Sequence, residues 1–285
     1  MNYQLVGIDL DGTLLGPDGR LSEANREALR RAAAAGLRVV PCTGRAWRES
    51  ARVVTPLAEI AEVGVFVTGA TVRRLADGQV LDEVFFDPAL AGHLVEVLAD
   101  LPDAVLLYRS CDLAGHEYLV TGDGELTDNT RWWFEHTGVS VAAEPKLETA
   151  GIEHTLRVGM VAPRPVVEEA MRRLDGLMSE ALVVQTFAAL PSPDQQGVWI
   201  LEVFPGGVDK FRGLEWVARH HGLDPSRIAT IGDEVNDLPM IEQAACGIAM
   251  GNAVDEVRTA ADRVTRSNEE DGVAHAIEKL LAGKW

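Results

Sequence analysis

The chain has 285 residues, enough for two domains of ordinary size, and its 47% hydrophobic and 25% charged content suits a chain that buries a core rather than one that stays disordered. Lys and Arg total 26 against 44 Asp and Glu, a formal net charge of −18. A field of that sign disfavours nucleic acid and anionic membrane as partners, and it repels small anions unless a metal or a lysine offsets it locally.

Cys42, Cys111 and Cys246 are odd in number and far apart, with no CxxC pair and no disulfide framework. No basic-then-apolar leader opens the chain, and no apolar stretch approaches the roughly 20 residues needed to span a bilayer. The expectation is a soluble cytoplasmic protein, a monomer or small homo-oligomer.

In chain order, Leu5–Ile8 reads as a buried strand, and Ser22 as the cap of a helix that runs through Leu29 to Ala35 and stops at Gly36. Leu37–Val40 is a second strand, followed by a helix from about Arg45 to Val54 that Pro56 ends. Val63–Val67 is a third strand, and Ala76-Asp77-Gly78 a hairpin turn. This alternation predicts a doubly wound, Rossmann-like parallel sheet with right-handed crossovers. The rhythm then changes. From about Glu83 the pattern predicts helices at Ala89–Leu98, Thr130–His136 and Val166–Met178, and strands at Val105–Tyr108, Glu117–Val120, Thr155–Val161 and Leu182–Thr186. Leu190–Gly197 reads as a polar, Pro-rich linker. After it come a strand at Val198–Val203, a helix at Lys210–His221, a strand at Ile228–Ile231, a helix at Asp237–Ala244 and a short strand at Ile248–Met250. The layout expected is an α/β core from residues 1–82 and 197–285, interrupted by a smaller α/β domain with its linker over 83–196.

Four polar clusters stand at strand ends. Asp9-Leu10-Asp11-Gly12-Thr13-Leu14-Leu15 places two carboxylates, one residue apart, where ligands sit in open α/β sheets, and Gly12 permits the turn. Two close carboxylates repel unless a cation offsets them, and Mg2+ is a hard, oxygen-seeking candidate. With the charge offset, one Asp can attack phosphorus while the other exchanges protons with the leaving group. Thr43-Gly44-Arg45, before a helix, offers a hydroxyl and backbone N–H groups as an anion cradle. Lys210 opens a helix and can offset charge on transferring oxygens. Asp233, in Gly232-Asp233-Glu234-Val235-Asn236-Asp237, could complete a metal site, with Asn236 and Asp237 orienting water ligands or the lysine. Each cluster alone also reads as a cap or a surface charge, but four in this order do not share such a reading easily.

The order DxDGTLL, TGR, Lys, GDxxND resembles the four motifs of haloacid dehalogenase-type phosphatases. The insertion between the second and third motifs looks like the large α/β cap of the Cof-like subfamily. Ile248-Ala249-Met250-Gly251-Asn252-Ala253 and Asn268-Glu269-Glu270-Asp271-Gly272-Val273 are also similar to that subfamily. The resemblance implies that Asp9 is the nucleophile that becomes an aspartyl-phosphate, and that Asp11 protonates the leaving alcohol and then activates water. It assigns the phosphoryl oxygens to Thr43, the Gly44 amide and Lys210. It assigns Mg2+ to Asp9, the Asp11 carbonyl and Asp233, with Gly12, Thr13, Arg45, Asn236 and Asp237 in support. The implied substrate is a small phosphorylated metabolite, a sugar phosphate or cofactor phosphate, enclosed by a closing cap that excludes bulk water. A phosphomutase and a non-catalytic phosphate-binding module are the alternatives. The chain departs from the family at Thr68-Gly69, where Asn-Gly is common, and at Phe211, where glycine often follows the lysine. Cys42 reads as a buried small hydrophobe, the histidines show no zinc spacing, and Trp132-Trp133-Phe134, Arg109, His116 and Arg131 are secondary candidates for substrate contact.

Overall fold

The computed structural model describes residues 2–147, 151–177, 181–188 and 197–285. The chain forms two compact units, Met1–Asp82 with Asp209–Trp285, and Glu83–Val208. The elements of the first segment are β1 (Leu5–Asp9), α1 (Glu23–Ala34), β2 (Arg38–Cys42), α2 (Trp47–Val54), β3 (Val63–Phe66), β4 (Thr71–Arg74) and β5 (Val80–Glu83). The middle segment carries α3 (Pro88–Leu98), β6 (Val105–Arg109), α4 (Cys111–Ala114), β7 (Tyr118–Thr121), α5 (Asp128–Thr137), β8 (Val141–Ala143), β9 (Thr155–Pro163), α6 (Arg164–Leu174), β10 (Leu182–Ala188) and β11 (Val198–Pro205). The last carries α7 (Lys210–His220), β12 (Ile228–Gly232), α8 (Leu238–Gln243), β13 (Cys246–Ala249), α9 (Asp255–Ala260), β14 (Arg263–Val264) and α10 (Gly272–Leu281).

The first unit is built on one sheet in the order β14-β13-β12-β1-β2-β3-β4-β5. Its pairings are parallel from β14 to β3, and the β4–β5 hairpin extends it, β4 lying antiparallel to β3. The parallel part is the doubly wound order, with its switch point between β1 and β12. Alternation along the strands explains the layers. Leu5, Val40, Cys42, Val65 and Ile228 pack against Phe211, Leu214, Val217 and Met240 of α7 and α8. A Cβ on Gly213 would meet Val65 Cγ1 at 2.5 Å, so α7 can press close to the sheet only as sequenced. That approach brings Lys210, at the start of α7, to the end of β1. Phe211 fills the core beneath, which accounts for a large apolar residue after the lysine. On α1, Ser22 accepts the Asn25 N–H as cap, and Asn25, Ala28, Leu29 and Ala32 are buried at helical spacing.

The second unit is a six-stranded sheet, β10-β11-β9-β6-β7-β8, antiparallel except between β7 and β8. Leu94, Leu98, Val167, Ala170 and Leu174 of α3 and α6 pack with Leu107, Val158, Met160, Leu201 and Val203 of the strands. Here the structure corrects the expected boundary. The strand Val198–Val203 does not reopen the first unit's sheet. As β11 it runs antiparallel to both β9 and β10, and the first unit resumes only at Asp209. A strand's pattern states that it pairs, not with which sheet. Most of the expected linker, residues 190–196, lies outside the described residues, as does Met178. Among the described residues no helix is long and apolar enough to cross a membrane.

Candidate active site

Every polar cluster predicted at a strand end of the first unit occupies the carboxyl edge of its sheet, around the switch point. Asp9 closes β1 and is almost wholly buried. The fully buried Lys210 donates from Nζ to Asp9 Oδ1 at 2.7 Å, to Asp237 Oδ1 at 2.6 Å and to Asn236 Oδ1 at 3.3 Å. Burial alone would lower the Lys210 pKa, but Asp237 and Asp9 overcome it and hold the ammonium charged, with its pKa raised. Burial, together with Asp237 and Asp233, pushes the Asp9 carboxyl well above its ordinary value despite the lysine. Burial likewise raises Asp233 to about 7, the Thr13 hydrogen bond opposing the rise and Asp237 adding to it.

The carboxylates of Asp9, Asp233 and Asp237 each offer an oxygen within 4.8 Å of the others. Three carboxyl groups thus face one lysine through hard oxygen donors, and these residues fit a small divalent cation of the Mg2+ type. The three are not equivalent. Asp237 Oδ2 already accepts the Asp233 and Glu234 N–H groups at 2.9 and 3.1 Å, and its Oδ1 accepts Lys210. It therefore shapes the loop after β12 and anchors the lysine.

The turn Leu10–Leu14 leaves β1 with Asp11 in extended backbone and Gly12 at φ 75, closed by the Leu15 N–H on the Leu10 carbonyl at 2.9 Å. A Cβ on Gly12 would lie 2.2 Å from Asp233 Oδ2, so glycine there is needed for both backbone and space. Thr13 donates to Asp233 Oδ1 at 2.7 Å. Asp11 points elsewhere. Its half-exposed carboxylate pairs with the Arg45 guanidinium and is not a member of the three-carboxylate group. The side chain of Asp11 is therefore separate from that group, and the expected ligand from this residue is its carbonyl.

After β2, buried Thr43 accepts the Arg45 N–H on its hydroxyl at 3.1 Å, and its own N–H reaches the Val65 carbonyl at 2.9 Å. The loop after β3 grips this one through Val67 N–H on Arg45 O and Thr68 N–H on Thr43 O, both 3.1 Å. Val67 and Thr68 hold φ of 51 and 54, a conformation that β-branched residues rarely adopt. The Thr68 hydroxyl is buried without a partner among the described residues, 3.5 Å from where a Gly44 Cβ would stand. The departure from Asn-Gly therefore sits against the Thr43–Arg45 loop.

The secondary candidates are mostly engaged in structure. Cys42 is buried, and burial pushes its thiol up. In the second unit Arg109 donates to the Glu153 carbonyl at 3.1 and 2.9 Å and meets His116 Nε2 at 2.9 Å. Phe134 is buried, Trp133 packs edge-on against Tyr118, and Trp132 is 57% exposed, stacked on His136. Arg131 lies 3.9 Å from Glu125 on the surface.

A family model described as haloacid dehalogenase-like hydrolase matches residues 6–277. The chain belongs to that family. A 5-amino-6-(5-phospho-D-ribitylamino)uracil phosphatase of Bacillus subtilis, YwtE, is 28% identical over 98% of this chain and 99% of its own. A second protein of that name, YitU, is 29% identical over 98% of this chain and 97% of its own. Among solved structures, a haloacid dehalogenase-like hydrolase from Bacteroides thetaiotaomicron superposes with a TM-score of 0.75 at 25% identity, covering 98% of this chain and 99% of that one. This member of the family thus carries its carboxylate cluster at the ends of the two strands that flank the switch point.

Proposed function

We propose that the protein is a Mg2+-dependent phosphomonoester hydrolase working through an aspartyl-phosphate on Asp9. The observation that carries this reading is the buried Lys210 bridging Asp9 and Asp237 beside Asp233, a cluster whose surplus negative charge a divalent cation would offset, leaving the lysine and the cation to receive a phosphate ester. Asp9 Oδ2 attacks phosphorus while Lys210 holds Oδ1 and draws charge from the phosphoryl oxygens. The Thr43 hydroxyl and the Gly44 amide, at the loop before α2, hold the remaining oxygens.

Asp11, oriented by Arg45, gives its proton to the leaving alcohol and then takes one from the water that cleaves the acyl phosphate. Asp9, the Asp11 carbonyl and Asp233 are the residues that would hold Mg2+, which when bound offsets carboxylate and phosphate charge. Thr13 fixes the rotamer of Asp233, while Asn236 and Asp237 fix the lysine.

The substrate class proposed is a small phosphorylated metabolite. The relatives named for 5-amino-6-(5-phospho-D-ribitylamino)uracil place phosphorylated ribityl compounds in the panel beside sugar and cofactor phosphates. The test is phosphate release from p-nitrophenyl phosphate with Mg2+, with EDTA, and from Asp9→Asn protein. Release that needs Mg2+ and vanishes in the variant supports the reading. Equal release by wild type and Asp9→Asn overturns it.

A further inference from the structure

Two segments that the motif chemistry leaves without a task, the loop after β13 and the loop before α10, converge on the turn that carries Asp11. Asn252 donates from Nδ2 to the Gly12 carbonyl at 2.8 Å and points the same amide at Asp233 Oδ2, 3.4 Å away. Its Oδ1 accepts the Asn268 N–H at 2.9 Å. Asn268 in turn donates its side-chain amide to the Leu15 carbonyl at 3.0 Å. A third asparagine completes the set: buried Asn25 donates to the Leu14 carbonyl at 3.2 Å and accepts the Ala274 N–H at 2.9 Å. Three carbonyls of one turn thus each accept a carboxamide from a distant segment.

The chemistry explains the residue type. A turn that departs from helical geometry leaves main-chain carbonyls without ladder partners, and each needs a donor. Asparagine accepts from one backbone on Oδ1 and donates to another from Nδ2, two separate atoms that reach further apart than a single hydroxyl. The partners also fix each amide's orientation, since an N–H can only donate to Oδ1 and a carbonyl can only accept from Nδ2. Of the three, Asn252 is the one that touches both acidic segments, the turn after Asp9 and the carboxylate of Asp233. It is exposed at the rim, where burial contributes little, whereas Asn25 is enclosed between α1 and α10.

We infer that Asn252 is a positioning residue for the cation site: by tying Gly12 to Asp233, and being held itself by Asn268, it sets the spacing of the two ligand-bearing segments before a metal arrives. The inference rests on the Mg2+-dependent reading. Outer contacts of this kind orient ligands and alter metal affinity strongly when removed.

The test is calorimetric titration of Mg2+ into metal-free wild type, Asn252→Ala and Asn252→Ser, at a temperature well below unfolding and with Asp233→Asn as the blank. The serine variant keeps a polar rim residue too short to span both partners. The expected result is Mg2+ affinity about 10–100-fold weaker in both variants, with the melting temperature of the metal-free protein lowered by only a few degrees. Affinity within about twofold of wild type, whatever the melting temperature, overturns the role of Asn252. Wild type that takes up no Mg2+ overturns the metal reading itself, and the proposal with it; in that case the failure shows in the wild type rather than in the variants.

Discussion

Two charge clusters, one in each unit, are built in opposite ways. In the second, Arg157 pairs with Glu202, donates to the Tyr118 hydroxyl at 2.7 Å and lies over the Tyr108 ring, 5.4 Å from its centroid. Here an arginine meets a glutamate, a hydroxyl and an aromatic face. In the first, three carboxylates crowd one lysine, and burial drives two of them toward holding protons. Matched charge serves a fold, whereas surplus charge, held in place by a hydroxyl, main-chain N–H groups and a lysine, serves something that arrives from solution.

That contrast can be broken at several points. The largest effect is expected from Asp9→Asn, which keeps the shape of the side chain but removes the proposed nucleophile. Mg2+-dependent kcat/KM should fall by about 10^4 or more, with the far-UV spectrum unchanged. Next, Lys210→Met strands Asp9 and Asp237 without a cation and should cost about 3–5 kcal/mol in urea unfolding at pH 8. Arg157→Met removes the cation beside Glu202 and should cost a similar amount, and there the added Glu202→Leu should return most of it. Failure of the double variant to recover would remove the distinction between the two units.

A third, smaller effect sharpens the surplus. The raised pKa of Asp233 means that the folded, metal-free protein binds more protons than the unfolded chain between the ordinary carboxyl range and about pH 7. The Asp233 contribution to stability should therefore fall as pH rises through that window, with its penalty fully present above about 7 and absent below about 4. Thermal melts in EDTA should show this fall, and Asp233→Asn should flatten it. Mg2+ at about 100 times its dissociation constant should restore about 2.7 kcal/mol at pH 8. The gain should shrink below pH 7, where protons compete for the same carboxylate. The smallest effect belongs to the half-exposed Asp11–Arg45 pair. Arg45→Ala should change stability by less than about 1 kcal/mol while lowering kcat about tenfold, since the pair aims Asp11 more than it holds the fold.

The strand-end polar clusters were legible from sequence because their parts are local. A buried apolar run followed by DxDGT, TGR or GDxxND announces a strand end whose side chains leave the sheet on one edge, and the doubly wound order then gathers those edges at the switch point. The same locality hid other features. Val198–Pro205 has the pattern of any buried strand, and only its register with Thr155–Pro163 and Leu182–Ala188 assigns it to the second sheet. The closing elements Asp255–Ala260, Arg263–Val264 and Gly272–Leu281 are short or follow motif residues that obscure their period.

What the sequence by itself determined is which residues can do chemistry and on which strand ends they stand, because spacing along a strand or the first turn of a helix is set by backbone geometry. What only the tertiary structure decided is the division of labour among them. Asp11 turns to Arg45, Asp237 is spent on Lys210 and two N–H groups, and Asn252 reaches Gly12 across 240 positions of chain. Hydrogen-bond partners are chosen by direction and distance in space, and no period along the chain encodes them.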